Sequence, residues 1–115
     1  MPHKVRITAG PVSMTAEMNE SETAKKIWEA LPIESSAKTW GQEVYFDIPV
    51  DMPEQDARPT VPSGTIAFWP EGNCFCIFFG QTPYSPVNVL GTVDGDENEF
   101  AKVADGEAIK IDAAE

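Results

Sequence analysis

The sequence predicts a single domain over residues 1–115, built as a β-dominated barrel with one amphipathic helix and a short helical turn. Seven short segments have the composition of strands and lie between turns that contain Gly, Pro or Asn. One segment has helical periodicity. The length of 115 residues is enough for one hydrophobic core and too short for two.

The chain opens with a predicted β-hairpin. Residues 4–9 and 12–18 each alternate apolar with polar side chains, which is the period of a strand with one buried face. Gly10 and Pro11 between them are turn formers.

An amphipathic helix is predicted next, over about residues 20–31. Asn19 is a suitable N-cap, because Glu22 follows it three residues later. Apolar residues then recur at i, i+3, i+4 and i+7, at Ala24, Ile27, Trp28 and Leu31. Pro32 ends the helix, and we expect its apolar stripe to cover one end of the barrel.

Five more strands and a helical turn complete the chain. The strands are predicted at residues 43–50, 64–69, 74–79, 87–93 and 107–112, and the helical turn at 99–104. Residues 64–69 and 74–79 form a second hairpin around a Pro-Glu-Gly-Asn turn. Residues 51–63, which contain three prolines, form an extended loop that we call the Pro-rich loop; loops of this kind often carry function.

In two of these strands, the side-chain pattern predicts which residues face the core and which face outward. In residues 43–50, Val44 and Phe46 point to the core, and Glu43 and Tyr45 therefore point away from it, to a solvated surface. Residues 74–79 are instead apolar on both faces, although an antiparallel strand normally shows one face to water. The helix, a second copy of the chain or a ligand must cover the outer side.

Charge and composition exclude several classes of partner. The formal net charge is -11, so phosphate backbones and anionic lipids would be repelled. We expect no nucleic-acid partner and no membrane partner. No segment resembles a signal peptide or a membrane span, which predicts a cytoplasmic protein.

The two cysteines predict buried thiols. Cys74 and Cys76 lie two apart in a strand, so their side chains are roughly 6.5–7 Å apart, too far for a relaxed disulfide. His3 is the only histidine and cannot complete a tetrahedral metal site with them. We expect no metal and no cofactor, and a Ser-His-Asp or Cys-His catalytic set is not available.

Three sequence runs resemble a small prokaryotic family with an atypical cyclophilin-like fold. They are WGQEVYF at residues 40–46, IAFWPEGNCFCIFFGQTP at 66–83 and PVNVLG at 86–91. The resemblance extends over residues 4–111 and implies a closed, mostly antiparallel cyclophilin-like β-barrel. True cyclophilins use an arginine in an F-H-R segment to catalyse prolyl isomerisation. This sequence has no such segment, so no catalytic residues are assigned.

We predict an apolar cleft that binds a small molecule or a short peptide, which can contain proline. The candidate ligand-binding residues are aromatic groups at strand ends, their polar neighbours, one arginine and a loop: Trp40, Glu43, Tyr45, Arg58, Trp69, Phe79, Gln81, Thr82, Pro83 and Tyr84. Trp40 and Trp69 either line the cleft or pack at a corner. Asn88, in an apolar strand, either faces solvent, the commoner case, or makes a buried hydrogen bond.

Two other functions remain open. One is a prolyl isomerase with a non-standard active site, in which Arg58 acts on the amide because Arg6, the other arginine, lies in the first strand. The other is an interaction module, in which an exposed apolar face forms a homodimer interface.

Overall fold

The computed structural model describes residues 3–80 and 86–114, which contain nine strands, one α-helix and one 3₁₀ helix. The strands are His3–Ala9 (β1), Val12–Met18 (β2), Ile33–Ser36 (β3), Lys38–Thr39 (β4), Glu43–Asp47 (β5), Thr65–Trp69 (β6), Cys74–Phe78 (β7), Asn88–Val93 (β8) and Ala108–Ala113 (β9). The helices are Glu22–Ala30 (α1) and the 3₁₀ helix Glu97–Lys102. Neither helix is long enough to cross a membrane.

The strands form one antiparallel sheet that nearly closes into a barrel. Its order is β3-β9-β1-β2-β8-β6-β7-β5-β4. The two end strands, β3 and β4, are consecutive in the chain and are joined by Ala37 alone. Ala37 also donates its N–H to Glu107 and accepts from Gly106, both at 2.7 Å. The predicted fold class, a closed antiparallel β-barrel with one amphipathic helix and a short helical turn, is confirmed.

Both predicted hairpins are present. Ala9 pairs with Val12 across the first turn, and Trp69 pairs with Cys74 across the second. Asn73, at the end of the second turn, has a φ of 52°, a conformation that Asn tolerates better than most residues. Local turn chemistry therefore placed these two pairs of strands correctly.

Helix α1 begins at a different cap from the one predicted. Ser21 is the N-cap, and its Oγ accepts from the Ala24 N–H at 3.2 Å. Asn19 instead accepts from the Ser21 N–H at 3.1 Å, so it orders the residues before the cap. The apolar stripe packs against the barrel core through Ala24 and Ile27, as predicted.

The short strands β3 and β4 were missed. Residues 33–39 contain only one large apolar side chain, Ile33, so they show no alternation. They become strands through pairing with distant segments: Ile33 lies opposite Ile111, and Lys38 lies opposite Tyr45. Such pairing cannot be read from local sequence.

The barrel interior is filled by apolar side chains that come from strands all around the barrel and from the helices. The large, fully buried ones include Ile7, Met18, Ile27, Phe46, Ile66, Phe68, Phe75, Ile77, Leu90 and Phe100. Val44, Phe46, Ile48 and Val50 are all buried there, as the alternation of residues 43–50 predicted. Phe46 and Phe75 stack with ring centroids 5.2 Å apart.

Candidate functional site

Strand β7 divides its side chains between two apolar clusters. Phe75, Ile77 and the following residue, Phe79, belong to the barrel interior. Cys74, Cys76 and Phe78 point to the other side. This decides a question that the sequence left open, namely which side of residues 74–79 is the interior.

The outer side of β7 continues across its neighbours because residues opposite each other in a sheet share a face. Tyr45, Cys76 and Ala67 form one row across β5, β7 and β6. We call this surface the outer face; its members are Glu43, Tyr45, Asp47, Ala67, Trp69, Cys74, Cys76 and Phe78.

The chain itself covers the part of the outer face that β7 contributes. Cys74, Cys76 and Phe78 are at most 2% exposed, and Val61 of the Pro-rich loop packs against them together with Val87. The sequence predicted that the helix, a second copy of the chain or a ligand covers this side of the strand. The observed contact with the Pro-rich loop is none of these, because that loop has no regular structure by which to predict its docking.

Glu43 is buried, which corrects the prediction of a solvated position. Its side chain is on the outer face as expected, but Glu43 is only 6% exposed because it lies opposite Phe78 in the covered region. Burial, then the charge of Glu43 and a hydrogen bond to it, raise the pKa of the Cys76 thiol well above its usual value. The alternation of apolar and polar residues in β5 predicted the face on which Glu43 lies, but it did not predict that this face is covered.

A smaller polar cluster lies at the other end of β5. The Cys74 thiol donates to Asp47 at 3.2 Å, and Lys38 lies 3.2 Å from the same carboxylate. Burial and then Asp47 raise the pKa of Cys74 to about 12, whereas Cys74 and Lys38 lower the pKa of Asp47. Cys74 is therefore a protonated thiol at neutral pH.

The predicted aromatic residues do not surround one cleft. Phe79 is 6% exposed and faces the interior, whereas Tyr45 and Trp69 are half-buried beside the outer face. Trp40 is 47% exposed in the turn before β5, where its backbone N–H donates to the Glu43 carbonyl. Trp40 and Trp69 are at opposite ends of β5 and β7, about four residue rises or roughly 13 Å apart along the strands.

The remaining predicted loop lies outside the described residues. It comprises Gln81, Thr82, Pro83 and Tyr84.

Arg58 lies in a cleft of about 590 Å³ between the Pro-rich loop, the start of α1 and strand β8. We call it the Arg58 cleft. Its lining residues are Asn19, Ser21, Glu22, Gln55, Asp56, Arg58, Thr60, Val61, Pro62 and Val89. The Arg58 backbone is held by a two-bond β-bridge to Val87, with N···O distances of 2.8 and 3.0 Å. The sequence suggested Arg58 as a cleft residue, but the other lining residues carry no motif.

The Arg58 cleft adjoins the outer face. Val89 lines the cleft and pairs with Ala67, which in turn pairs with Cys76 of the outer face. Val61 also lines the cleft and packs on the outer face. The structure thus places Arg58 next to the surface that carries Glu43, Tyr45 and Trp69, and it separates Phe79 from that surface.

Asn88 is 2% exposed and makes a buried hydrogen bond to Thr23, so the commoner expectation, a solvent-facing side chain, is wrong. The reason is again the Pro-rich loop, which crosses β8 at this point and supplies both a donor and an acceptor to the amide.

No group of three or more His, Cys, Asp or Glu side chains within residues 3–80 and 86–114 could hold a metal ion. The polar residues that line the Arg58 cleft, among them Glu22, Gln55 and Arg58, can form hydrogen bonds and charge pairs with a ligand.

Known proteins resemble this chain in both sequence and fold. A family model described as cyclophilin-like matches residues 3–112. The solution structure of the hypothetical protein AF2241 from Archaeoglobus fulgidus is 32% identical, with a TM-score of 0.85, covering 98% of this chain and 95% of that one.

A second solved structure shares the fold alone. It is McbB in complex with tryptophan, which is 17% identical with a TM-score of 0.79; the match covers 96% of this chain and 44% of McbB. The sequence has no significant match among curated proteins. The family match over residues 3–112 and the archaeal relative together show that this chain belongs to the cyclophilin-like family.

Proposed function

We propose that this protein binds a small molecule or a short peptide in the Arg58 cleft, with an apolar part of the ligand against Val61, Pro62 and Val89, which border the outer face. The observation that carries this proposal is the position of Arg58 in a cleft whose floor continues into an apolar sheet surface through Val89 and Val61. Ligand sites commonly combine an apolar wall with a few polar groups, and their volumes are about 300–1,000 Å³.

The Arg58 side chain supports recognition of an oxygen acceptor. It is exposed in the cleft, and no hydrogen bond or ion pair joins it to any other described residue. A guanidinium presents several donors in one plane and binds a carboxylate or carbonyl oxygen well. Because the chain carries a net charge of -11, this cation is a distinctive feature of the surface.

The other cleft residues favour a ligand that also carries hydrogen-bond donors. Glu22 and Asp56 contribute carboxylates to the lining, and Gln55 contributes an amide. Peptides and amino acids offer both donors and acceptors, whereas a purely anionic ligand would meet repulsion from the two carboxylates. A peptide with proline or another apolar residue would also match Val61, Pro62 and Val89.

Prolyl isomerisation by Arg58 is the second candidate. Its support is that Arg58 reaches a cleft, as the sequence suggested. A proline seat of aromatic side chains is absent from the described lining, which offers only Val61, Pro62 and Val89 as apolar contacts. Binding without catalysis is therefore the better-supported function.

Amide chemical-shift mapping tests the binding proposal. The probes are Ala-Pro and Gly-Pro peptides, a metabolite set, and tryptophan because a protein of the same fold is described in complex with it. We expect a probe to shift the amide signals of residues 55–58, 60 and 61 and of Ser21, Glu22 and Val89. Arg58→Ala should weaken binding at least about tenfold, the effect of losing roughly 1.4 kcal/mol of charge-assisted hydrogen bonding.

Arg6→Ala is the matched control, since Arg6 is the other arginine and its side chain contacts Ser13 at 3.2 Å, on β1 and β2. Equal weakening by both substitutions, or binding shifts that avoid the Arg58 cleft at millimolar probe, would contradict the proposal. A protease-coupled assay on an Ala-Pro peptide tests the second candidate, and isomerase activity unchanged by Arg58→Ala would remove its mechanism.

A further inference from the structure

A buried polar network lies beneath the Arg58 cleft. The Asn88 side chain donates to the Pro53 carbonyl at 3.0 Å and to the Thr23 hydroxyl at 3.2 Å, and it accepts from the Gln55 N–H at 2.8 Å. The Thr23 hydroxyl in turn donates to the Gln55 side-chain oxygen at 2.8 Å. Asn88 and Thr23 are 2% and 0% exposed, so one amide joins β8, α1 and the Pro-rich loop inside the protein.

The residues on either side of Asn88 hold the other walls of the cleft. Val87 forms the two-bond bridge to the Arg58 backbone. The Val89 carbonyl accepts from the Asn19 side chain at 2.9 Å, just before α1. Three successive residues of the chain therefore anchor the Arg58 segment, the preceding part of the Pro-rich loop and the approach to α1.

An asparagine is suited to this position because it carries two donors and an acceptor on one short side chain. Here both donors and the acceptor are used. An aspartate would keep the bond from Gln55 but would place an oxygen against the Pro53 carbonyl. A leucine of similar size would leave the Gln55 N–H and the Pro53 carbonyl, which are part-buried, without their partner, and this loss is destabilising.

We infer that Asn88 is a positioning residue, which sets the separation between α1 and the Pro-rich loop and so the width of the Arg58 cleft. That this width governs ligand fit rests on the proposed function. The hold on the loop does not, because it follows from the contacts of Asn88 with Thr23, Pro53 and Gln55.

The test measures the separation directly. Spin labels at Lys26→Cys and Glu54→Cys report the distance between α1 and the loop; both positions are exposed and neither lines the cleft. The native thiols do not compete for the label, since Cys74 and Cys76 are buried with raised pKa values. We expect Asn88→Leu to broaden the distance distribution and to shift it to longer values.

Amide exchange provides a second measurement on the unlabelled protein. Because the Gln55 N–H loses the Asn88 side-chain oxygen as its acceptor in Asn88→Leu, its exchange should accelerate by about tenfold or more. Thr23→Val keeps the direct bonds between Asn88 and the loop and should have a smaller effect. If Asn88→Leu does not fold, Thr23→Val provides the test in its place.

Ile111→Val in β9 is the control for general destabilisation, because it removes one buried methylene from the core far from β8 in the sheet order. It should lower Tm without changing the label distance or Gln55 exchange. If Asn88→Leu and Thr23→Val behave as this control does, the positioning role is wrong. Neither measurement uses a ligand, so a negative peptide titration would overturn the proposed function and leave this result intact.

Discussion

Cys74 and Cys76 show how burial changes the chemistry of a residue. Both thiols are at most 2% exposed, and each lies near a carboxylate that disfavours the thiolate. The sequence predicted buried thiols rather than a disulfide, and the structure confirms that prediction. The consequence is that both thiols lack the reactivity of the thiolate form.

We therefore expect neither thiol to react with an aromatic disulfide reagent in the native protein at pH 8, and both to react in denaturant. In alkaline solution the unfolded Cys74 thiol loses its proton near pH 9, whereas the folded one keeps it to about 12. The unfolded state binds fewer protons in this window, so stability should fall as pH rises through it. Rapid labelling of the native protein at pH 8 would contradict the expected lack of thiol reactivity.

Glu43 and Asn88 show where inference from single residues stops. Period-two alternation placed Glu43 on the correct side of β5, and composition identified Asn88 as unusual in an apolar strand. Both were expected at the solvent surface and both are buried. The cause is the same in both cases: an irregular segment packs over the sheet. The local sequence of a strand predicts which face a residue lies on, but not which distant segment covers that face.

At the level of elements, Gly91 allows β8 to pass close to β2. Its φ is 152°, and a Cβ at this position would lie 1.9 Å from the Glu17 carbonyl oxygen. The pairing of β6 with β8 shifts register between Ile66 and Ala67, opposite this same glycine. Close backbone approach and an irregular register therefore coincide at one residue.

We expect Gly91→Ala to destabilise the fold by about 2–4 kcal/mol, since backbone strain adds to a steric overlap with main-chain atoms. Gly106→Ala is the matched control. Its φ is 88°, but nothing lies within 4 Å of the added Cβ, so only the backbone penalty of about 1–2 kcal/mol applies. Urea unfolding of both variants measures the difference, and equal destabilisation would show that the close approach to Glu17 is not the cause.

There is a physical reason why some strands were predicted and two were missed. β1, β2, β6 and β7 were predicted because adjacent turns bring their pairs together. β3 and β4 were missed because they depend on partners far along the chain, β9 and β5. A strand of two to four mostly polar residues has little intrinsic preference, and its conformation comes from the ladder that it joins.

At the level of the whole molecule, the outer face bears on oligomeric state. The side chains of β7 are already buried within one chain, and Trp40 is the one large apolar residue exposed in the described part of the protein. A stable homodimer needs roughly 1,200 Å² or more of buried surface with an apolar centre. We expect light scattering to report a monomer near 12.6 kDa at micromolar concentration. A mass near twice this value would favour the interaction-module alternative.

The net charge of the molecule leads to a separate prediction, which concerns the effect of salt on stability. A net charge of -11 on 115 residues produces repulsion that salt screens, with a Debye length near 10 Å at 0.1 M. Salt also weakens ion pairs such as Lys4–Asp94 and Lys38–Asp47, but these are exposed and each contributes little. Relief of repulsion should therefore exceed the loss of ion pairs.

Tm should accordingly rise with NaCl between low ionic strength and 0.1 M. A gain of ~1 kcal/mol corresponds to roughly 4 °C for a domain of 115 residues. Differential scanning calorimetry measures it, and a fall in Tm over that range would mean that the ion pairs matter more than the net charge.

By itself, the sequence determined the barrel class, both hairpins, the amphipathic helix and the interior set of residues 43–50, because these depend on alternation, helical period and turn chemistry over a few residues. It also predicted that Arg58, rather than Arg6, has access to a cleft, and Arg58 lines one in the structure. Only the tertiary structure decided which face of β7 is interior, what covers the other face, and that Asn88 joins β8, α1 and the Pro-rich loop beneath Arg58. These features depend on the docking of the Pro-rich loop, which has no periodic pattern and takes its position from contacts with residues more than thirty positions away in the chain.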